Sequence, residues 1–332
     1  MSRRRDLDED DVRVRPGKGS RPRTRIRPEH SDAVDGMVTT VDRGRYTCLV
    51  DGVALQAVRA RELGRAGRVV VGDRVGLVGD LDGRPDSLAR IVRVHPRRSV
   101  LRRSADDVDP VERVLVANAD QLVVVTAVAN PEPRPRLIDR CIVAAFDAGL
   151  DVLLCLTKTD LASAQPLLDI YAPLDVAHVT WTRGTPVDHV LERLTGRTSV
   201  LVGHSGVGKS TLVNALVPDA LRAVGHVNAV TGRGRHTSSS AVALELPTRG
   251  WVVDTPGVRS FGLAHVSPEG LLAAFPDLAE VAPQCPPGCD HSGSDPLCAL
   301  DRCPVDPDRR ASFRRLLASR RGGDDDSRSD LD

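Results

Sequence analysis

The apolar positions of this chain change their period near residue 105. Between 34 and 104 they fall in short alternating runs, GMVTTV, RYTCLV, VALQAV, RVVVGDRVGLVG and LARIVRVH, separated by turns that carry Gly and Asp. Period-two alternation predicts half-buried strands, and short strands at this spacing predict a small barrel of OB type. From about 110, apolar strands alternate with amphipathic helices. DQLVVVTAVA (120–129) reads as a strand, RLIDRCIVAAFDAG (136–149) as a helix and DVLLCLT (151–157) as a second strand. A short helix comes next, then DVAHVTW (175–181), VDHVLERL (187–194), the strand TSVLVG (198–203) and the helix STLVNALV (210–217). Such βα repeats predict an α/β domain with a doubly wound, mostly parallel sheet, whose ligands bind beyond the carboxyl ends of the strands. Further on, LLAAFPDLAEV and RRASFRRLLASRR read as helices, the second with a basic face.

Two of these strand ends carry chemistry. GHSGVGKS (203–210) fits G-x(4)-G-K-S with a strand before it and a helix after it, the context a phosphate-binding loop requires. Gly203, Gly206 and Gly208 let the backbone N–H groups face phosphates. The expected set is Gly203, His204, Ser205, Gly206, Val207, Gly208, Lys209, Ser210 and Thr211. Lys209 is to bridge the β- and γ-phosphates and Ser210 to ligate Mg²⁺.

TKTD, residues 157–160, has the form of a guanine-reading motif. Asp160 can accept from the N1–H and 2-amino groups of guanine, whereas adenine offers an acceptor and no amino group there. Thr157, Lys158 and Thr159 complete the set, with the Lys158 stem along the base. The bland alternative is a capped strand-to-helix turn. Lysine usage bears on the choice: of 46 basic residues only Lys18, Lys158 and Lys209 are Lys. A chain that otherwise writes Arg keeps the slender, compact charge inside both motifs.

WVVDTPG (251–257) reads as a strand ending in D-x-x-G, with Asp254 toward Mg²⁺ and the Gly257 N–H toward the γ-phosphate. Between this and the loop lies GRGRHTSSS (232–240), suited to a switch that orders around the γ-phosphate. One of Thr237, Ser238 or Ser239 is to complete the Mg²⁺ shell, with Ser238 taken as the ligand. The base reader precedes the phosphate loop, and no Lys occurs after Lys209. The three motifs can share one pocket if the sheet is traced from a different starting strand, because strand positions rather than chain order build the site. The sequence therefore predicts a circularly permuted P-loop domain.

Composition adds a metal and a polyanion. Four of the seven cysteines crowd into 285–303. Cys285, Cys289, His291 and Cys298 suit a closed tetrahedral Zn²⁺ site, one ion per chain, with Cys303 as a spare thiol. Residues 12–28 hold seven basic side chains and no acidic one, and 34–104 hold 14 Arg against 8 Asp plus Glu, although the whole chain is nearly neutral at +1. The first segment reads as a disordered basic arm, either a solubility tail or a phosphate-seeking tether. The barrel has Tyr46 as its one aromatic residue, so RNA contact there is expected through phosphates and shape rather than base stacking. The opening MSRRRDLDED lacks the apolar core of a signal peptide, and no apolar run reaches the ~18 residues of a membrane span. A cytoplasmic, membrane-free monomer is expected.

TKTD before GHSGVGKS before DTPG, and then the Cys/His cluster, resembles the ribosome small-subunit-dependent GTPase A family (RsgA, also called YjeQ). VVGDRV (70–75), RRSVLRR (97–103), ANADQ (117–121), GRGRHT (232–237), DTPGVRSFGL (254–263) and AFPDL (274–278) extend the likeness from about 34 to 318. The chain departs from the family pattern at Thr157, where Asn is commoner, at Thr180 and Trp181, where Ser-Ala is usual, and in two gaps of the Cys/His spacing. The resemblance implies an OB-fold barrel over 34–105, a circularly permuted GTPase domain over 106–265 and a helical zinc-binding domain over 266–319, and the expected flanks are a disordered basic arm over 1–33 and a disordered tail over 320–332. It implies late maturation of the small ribosomal subunit, with subunit and rRNA as partners, GTP and GDP as ligands, and the subunit as activator. Val258 comes directly after D-x-x-G, where many GTPases place a water-orienting Gln. The resemblance gives that task to His236. The alternative is an RNA-binding assembly factor with a nucleotide-occupancy switch and little catalysis.

Overall fold

The computed structural model describes residues 30–64, 68–84, 87–103, 113–218, 241–255, 263 and 266–320. The basic arm over 12–28, the 232–240 loop and the tail from 321 on lie outside the described residues. The chain divides into a unit over 1–31 and a second over 32–332, and the described strands and helices all lie in the second.

Five strands close into a barrel: β1 (Val34–Asp42), β2 (Arg45–Val50), β3 (Val53–Arg59), β4 (Arg74–Gly79) and β5 (Ala89–Val94). Their order is β1-β2-β3-β5-β4, with β4 returning to β1, and β3 and β5 parallel. A register shift between Val38 and Thr40 bends β1 so that one strand serves both neighbours. Alternation does the rest. Val38, Cys48, Leu55, Ala57, Val75, Leu77 and Ile91 fill the interior.

The run RVVVGDRVGLVG is not one strand. It turns at Gly72, whose φ is +87°, and a Cβ there would lie 2.0 Å from the Ala117 carbonyl oxygen. Residues 68–73 thus form a clamp rather than a barrel stave. They press against an antiparallel pair of strands that periodicity had not marked, β6 (Val100–Arg103) and β7 (Arg113–Ala117). Asn118 seals the contact, donating to Gly72 O at 2.9 Å and accepting from Arg98 N at 2.8 Å. Asp73 is fully buried and accepts from Arg97 Nε at 2.7 Å and from Val70 N at 2.8 Å. Arg97→Ala would strand that carboxylate, so we expect a loss of ~3 kcal/mol in urea unfolding, the usual effect of breaking a buried pair from one side.

The second sheet runs β10 (Ala177–Trp181), β9 (Asp151–Thr157), β8 (Gln121–Ala127), β11 (Thr198–Val202), β13 (Trp251–Asp254), β12 (Val242–Glu245). All neighbours are parallel except β12 with β13. Strand β12 also meets barrel strand β1 through Thr40 and Val242, joining both parts in one continuous sheet. Alternate strand residues face opposite layers. Leu122, Val124, Leu154 and Val200 pack under α1 (Pro135–Asp147) and α2 (Gln165–Tyr171). Val123, Val125, Cys155 and Leu201 pack under α3 (Asp188–Leu194) and α4 (Lys209–Leu216). Cys48, Cys141 and Cys155 lie in these interiors, and burial pushes each thiol up to about 12, as for inert packing residues.

The C-terminal segment packs on the α1 layer. LLAAFPDLAEV forms two short helices rather than one, α5 (Pro268–Ala273) and α6 (Pro276–Ala279), because Pro276 starts a new helix. Helix α7 (Pro307–Ser319) comes last, capped by Asp306, which accepts from Asp308 N at 2.8 Å. Phe275 joins the layers edge-on, 5.9 Å from Phe146 and 5.2 Å from Phe313. The basic face of α7 turns inward. Arg315 bonds buried Asp139 at 3.1 Å and Arg309 forks onto Asp277, so these arginines are structural clamps.

Candidate nucleotide and metal sites

The sheet order brings the two strand-end motifs together. TKTD leaves β9 and the glycine loop leaves β11, with β8 between them, all at the carboxyl edge. Successive strands β9 and β10 are added on one side of β8, and β11 and β13 on the other, so strand order reverses between β8 and β11, the place where doubly wound folds open a ligand crevice.

Within the glycine loop the backbone is crowded from below. A Cβ at Gly203 would lie 2.3 Å from Val125 O, so only glycine lets the loop leave β11 against β8. Gly206 and Gly208 have φ of +83° and +93°, the left-handed region that glycine enters freely. Lys209 and Ser210 open α4, whose first N–H groups face the loop. The Lys209 ammonium pairs with Asp254, which ends β13. Thr255, next in the chain, donates to Leu201 O at 2.8 Å and ties the start of DTPG to β11.

TKTD is bolted to that loop by a bond no motif announced. Thr157 Oγ1 donates to Val207 O at 2.6 Å and is itself buried. Lys158 sits at φ +59° and its ammonium donates to Asn130 O, which fixes the 130 loop beside the glycine loop. Thr159 Oγ1 meets Thr182 Oγ1 at 2.8 Å, linking TKTD to the loop after β10. Asp160 is exposed. Asn130, Thr182 and Thr255 were invisible as site residues, and their position just past strand ends was the available signal. Thr157→Val keeps the shape but leaves Val207 O unpaired. We expect nucleotide affinity to fall about tenfold, ~1.4 kcal/mol, by titration with a fluorescent guanine nucleotide.

Of the remaining candidates, His204, Ser205 and Thr211 lie in the loop and first turn of α4. His236, Thr237, Ser238, Ser239 and Gly257 lie outside the described residues. A cleft of about 670 Å³, lined by Gln121, Asp151, Ala177 and Arg197 among others, opens at the amino ends of the strands, away from both motifs.

Cys285, Cys289, His291 and Cys298 come together with all four ligand atoms within 4.8 Å of one another. His291 Nδ1 lies 3.5 Å from Cys285 Sγ and 3.7 Å from Cys289 Sγ. Ala299 N points at Cys285 Sγ from 3.2 Å. Three thiols and an imidazole converging on one point are a donor set that fits a metal ion. Cys303 stands apart from this group, its thiol donating to Leu300 O at 3.1 Å.

The family model described as RsgA GTPase matches residues 94–264. The chain belongs to the RsgA GTPase family. The small ribosomal subunit biogenesis GTPase RsgA of Pseudomonas aeruginosa is 40% identical over 242 residues, covering 69% of this chain and 70% of that protein. The protein of the same name from Chlorobaculum parvum is 34% identical over 264 residues, 76% of this chain and 85% of its own. Among solved structures, YjeQ from Thermotoga maritima matches with a TM-score of 0.66 at 25% identity, covering 88% of this chain and 99% of its own. YloQ, a circularly permuted GTPase, matches at 0.62 and 21%, covering 88% and 96%. The chain is therefore a circularly permuted GTPase, with TKTD ahead of the glycine loop, the rotated order read from the sequence. Membership in a GTPase family carries guanine-nucleotide binding and GTP hydrolysis. Among the described residues, no helix is long and apolar enough to cross a membrane.

Proposed function

We propose that this chain hydrolyses GTP during late maturation of the small ribosomal subunit, and that the subunit and its rRNA both bind it and stimulate turnover. The observation that supports this best is the bonding of TKTD to the glycine loop through Thr157 and Val207, in a chain whose relatives carry the subunit in their names. The site residues then divide the work. Asp160 accepts from the guanine N1–H and 2-amino groups, and Lys158 lies along the base between Asn130 and Thr159. Residues 203–211 wrap the phosphates with backbone N–H groups. Lys209 and Asp254, paired in this structure, are a cation for the β- and γ-phosphates and a carboxylate for Mg²⁺. Ser210 and Ser238 supply hydroxyls to that ion, and Gly257 an N–H to the γ-phosphate. Mg²⁺ held by these groups would supply positive charge against that of the phosphates.

His236 is the residue proposed to orient the attacking water, since Val258 is aliphatic and cannot. The four-residue Cys/His cluster is proposed to hold one Zn²⁺ that supplies folding energy. The proposed setting is the cytoplasm, and the proposed free form a monomer.

The experiment is GTP hydrolysis by the purified chain with and without small ribosomal subunits. Intrinsic turnover should be slow and the subunits should raise it at least ~100-fold, with His236→Ala losing most of that rise. A subunit that binds but leaves turnover unchanged would favour the occupancy-switch reading.

A further inference from the structure

Helix α7 carries four arginines that face two ways. Arg309 and Arg315 face the sheet side: Arg309 donates to Pro173 O at 3.1 Å, and Arg315 sits 5.2 Å over the Tyr171 ring. Arg310 and Arg314, one turn apart, face the Cys/His loop. Arg310 donates to Leu300 O at 3.1 Å. Arg314 does more than its neighbour. Its two terminal nitrogens take both oxygens of Asp301 at 2.8 and 3.0 Å, and its Nε donates to His291 O at 3.1 Å. The same Nη2 lies 3.9 Å from Cys298 Sγ. One guanidinium therefore touches the backbone of one cluster residue and the sulfur of another.

The loop is shaped to admit it. A Cβ at Gly293 would come within 3.0 Å of the Arg314 guanidinium carbon, so glycine leaves the berth open. His291 has φ of +57°, uncommon for a residue with a Cβ, and the carbonyl oriented by this turn is the one Arg314 holds. Charge points the same way. Three thiolates around a divalent cation leave a centre of net −1, and a guanidinium beside the buried Cys298 offsets it without becoming a ligand.

We infer that Arg314 is the positioning residue of the metal centre, fixing His291 and Cys298 in their ligating arrangement and fastening that arrangement to α7. The inference rests on the cluster being a metal site. Partners outside the ligands that orient them commonly set affinity by about 10- to 100-fold. Lysine could supply the charge but not the planar fork that meets Asp301, His291 and Cys298 together.

The test uses the full-length chain loaded with Zn²⁺, release being monitored with a chromogenic chelator, and a parallel Co²⁺-loaded sample for its thiolate absorption. Arg314→Ala should release Zn²⁺ about 10- to 100-fold faster while Co²⁺ still shows the same thiolate bands, because the four ligands remain. Arg314→Lys should recover part of the loss. Arg309→Ala loosens the same helix on its other side and should release Zn²⁺ at the wild-type rate. If Arg314→Ala fails to fold, Asp301→Asn frees the fork more gently and should raise the release rate severalfold. Release from Arg314→Ala within twofold of wild type would overturn the inference, as would an equal effect of Arg309→Ala. Wild-type protein that takes up no stoichiometric metal would instead remove the metal-site reading beneath it.

Discussion

Asp160→Asn should lower GTP affinity by about 100- to 1,000-fold, ~3–4 kcal/mol, and transfer preference to xanthosine triphosphate. A carboxylate only accepts, and guanine offers it two donors side by side. An amide keeps one accepting oxygen for N1–H but turns an NH₂ toward the second position, where guanine also carries an amino group. Two donors then face each other. Xanthine replaces that amino group with a carbonyl, which restores a complementary pair. Asp160 is exposed beyond the end of β9 and its neighbours Lys158 and Thr159 are anchored elsewhere, so the change should leave the fold alone. Competition titrations of the variant against GTP, ATP and xanthosine triphosphate give the answer directly. A variant that still prefers GTP would show that Asp160 does not read the base.

Lys209→Ala should lower kcat/KM for GTP about 1,000-fold, ~4 kcal/mol, the scale on which a single charge-stabilising donor acts in an enclosed site. Lys209 opens α4 and meets Asp254 across the crevice, so the substitution removes a cation and leaves a half-buried carboxylate facing the phosphates. Both effects oppose a polyanion. Lys209→Arg should rescue little, since a broad planar fork does not fit where a slender stem passes beside Gly208. The measurement is steady-state hydrolysis, with circular dichroism to show that the variant is folded. Activity within tenfold of wild type would displace Lys209 from the phosphate site.

What the sequence disclosed and what it hid divide along physical lines. TKTD and GHSGVGKS were legible because each needs its residue types at fixed local spacing, and each comes after an apolar strand. Their convergence was also legible, since strand order rather than chain order makes the crevice, and the sheet order β10-β9-β8-β11-β13-β12 bears this out. The Thr157 bond to Val207 was not, because its partners are 50 residues apart and a Thr at a strand end is ordinary. Strand β12 has four residues, too few for a period to emerge, and its place was decided by β13 and by the barrel edge at Thr40. The run through Gly72 reads as a strand until the Ala117 carbonyl arrives from a distant segment and occupies the space a Cβ would need. Helix α7 misled for a related reason. Its arginines look solvated in sequence, yet Asp139, Asp277 and Asp301 lie on other segments and draw the charged heads inward over apolar stems.

The barrel, the permuted sheet and the Cys/His segment meet around one idea, that segments in rotated order assemble a pocket for a guanine triphosphate. Equilibrium binding of GTP and ATP to the purified, metal-loaded, full-length chain tests it most directly. The account predicts that GTP binds at least ~100-fold more tightly, the discrimination expected when a site's hydrogen-bonding groups go unpaired with the wrong base. Equal affinity for the two nucleotides would contradict it.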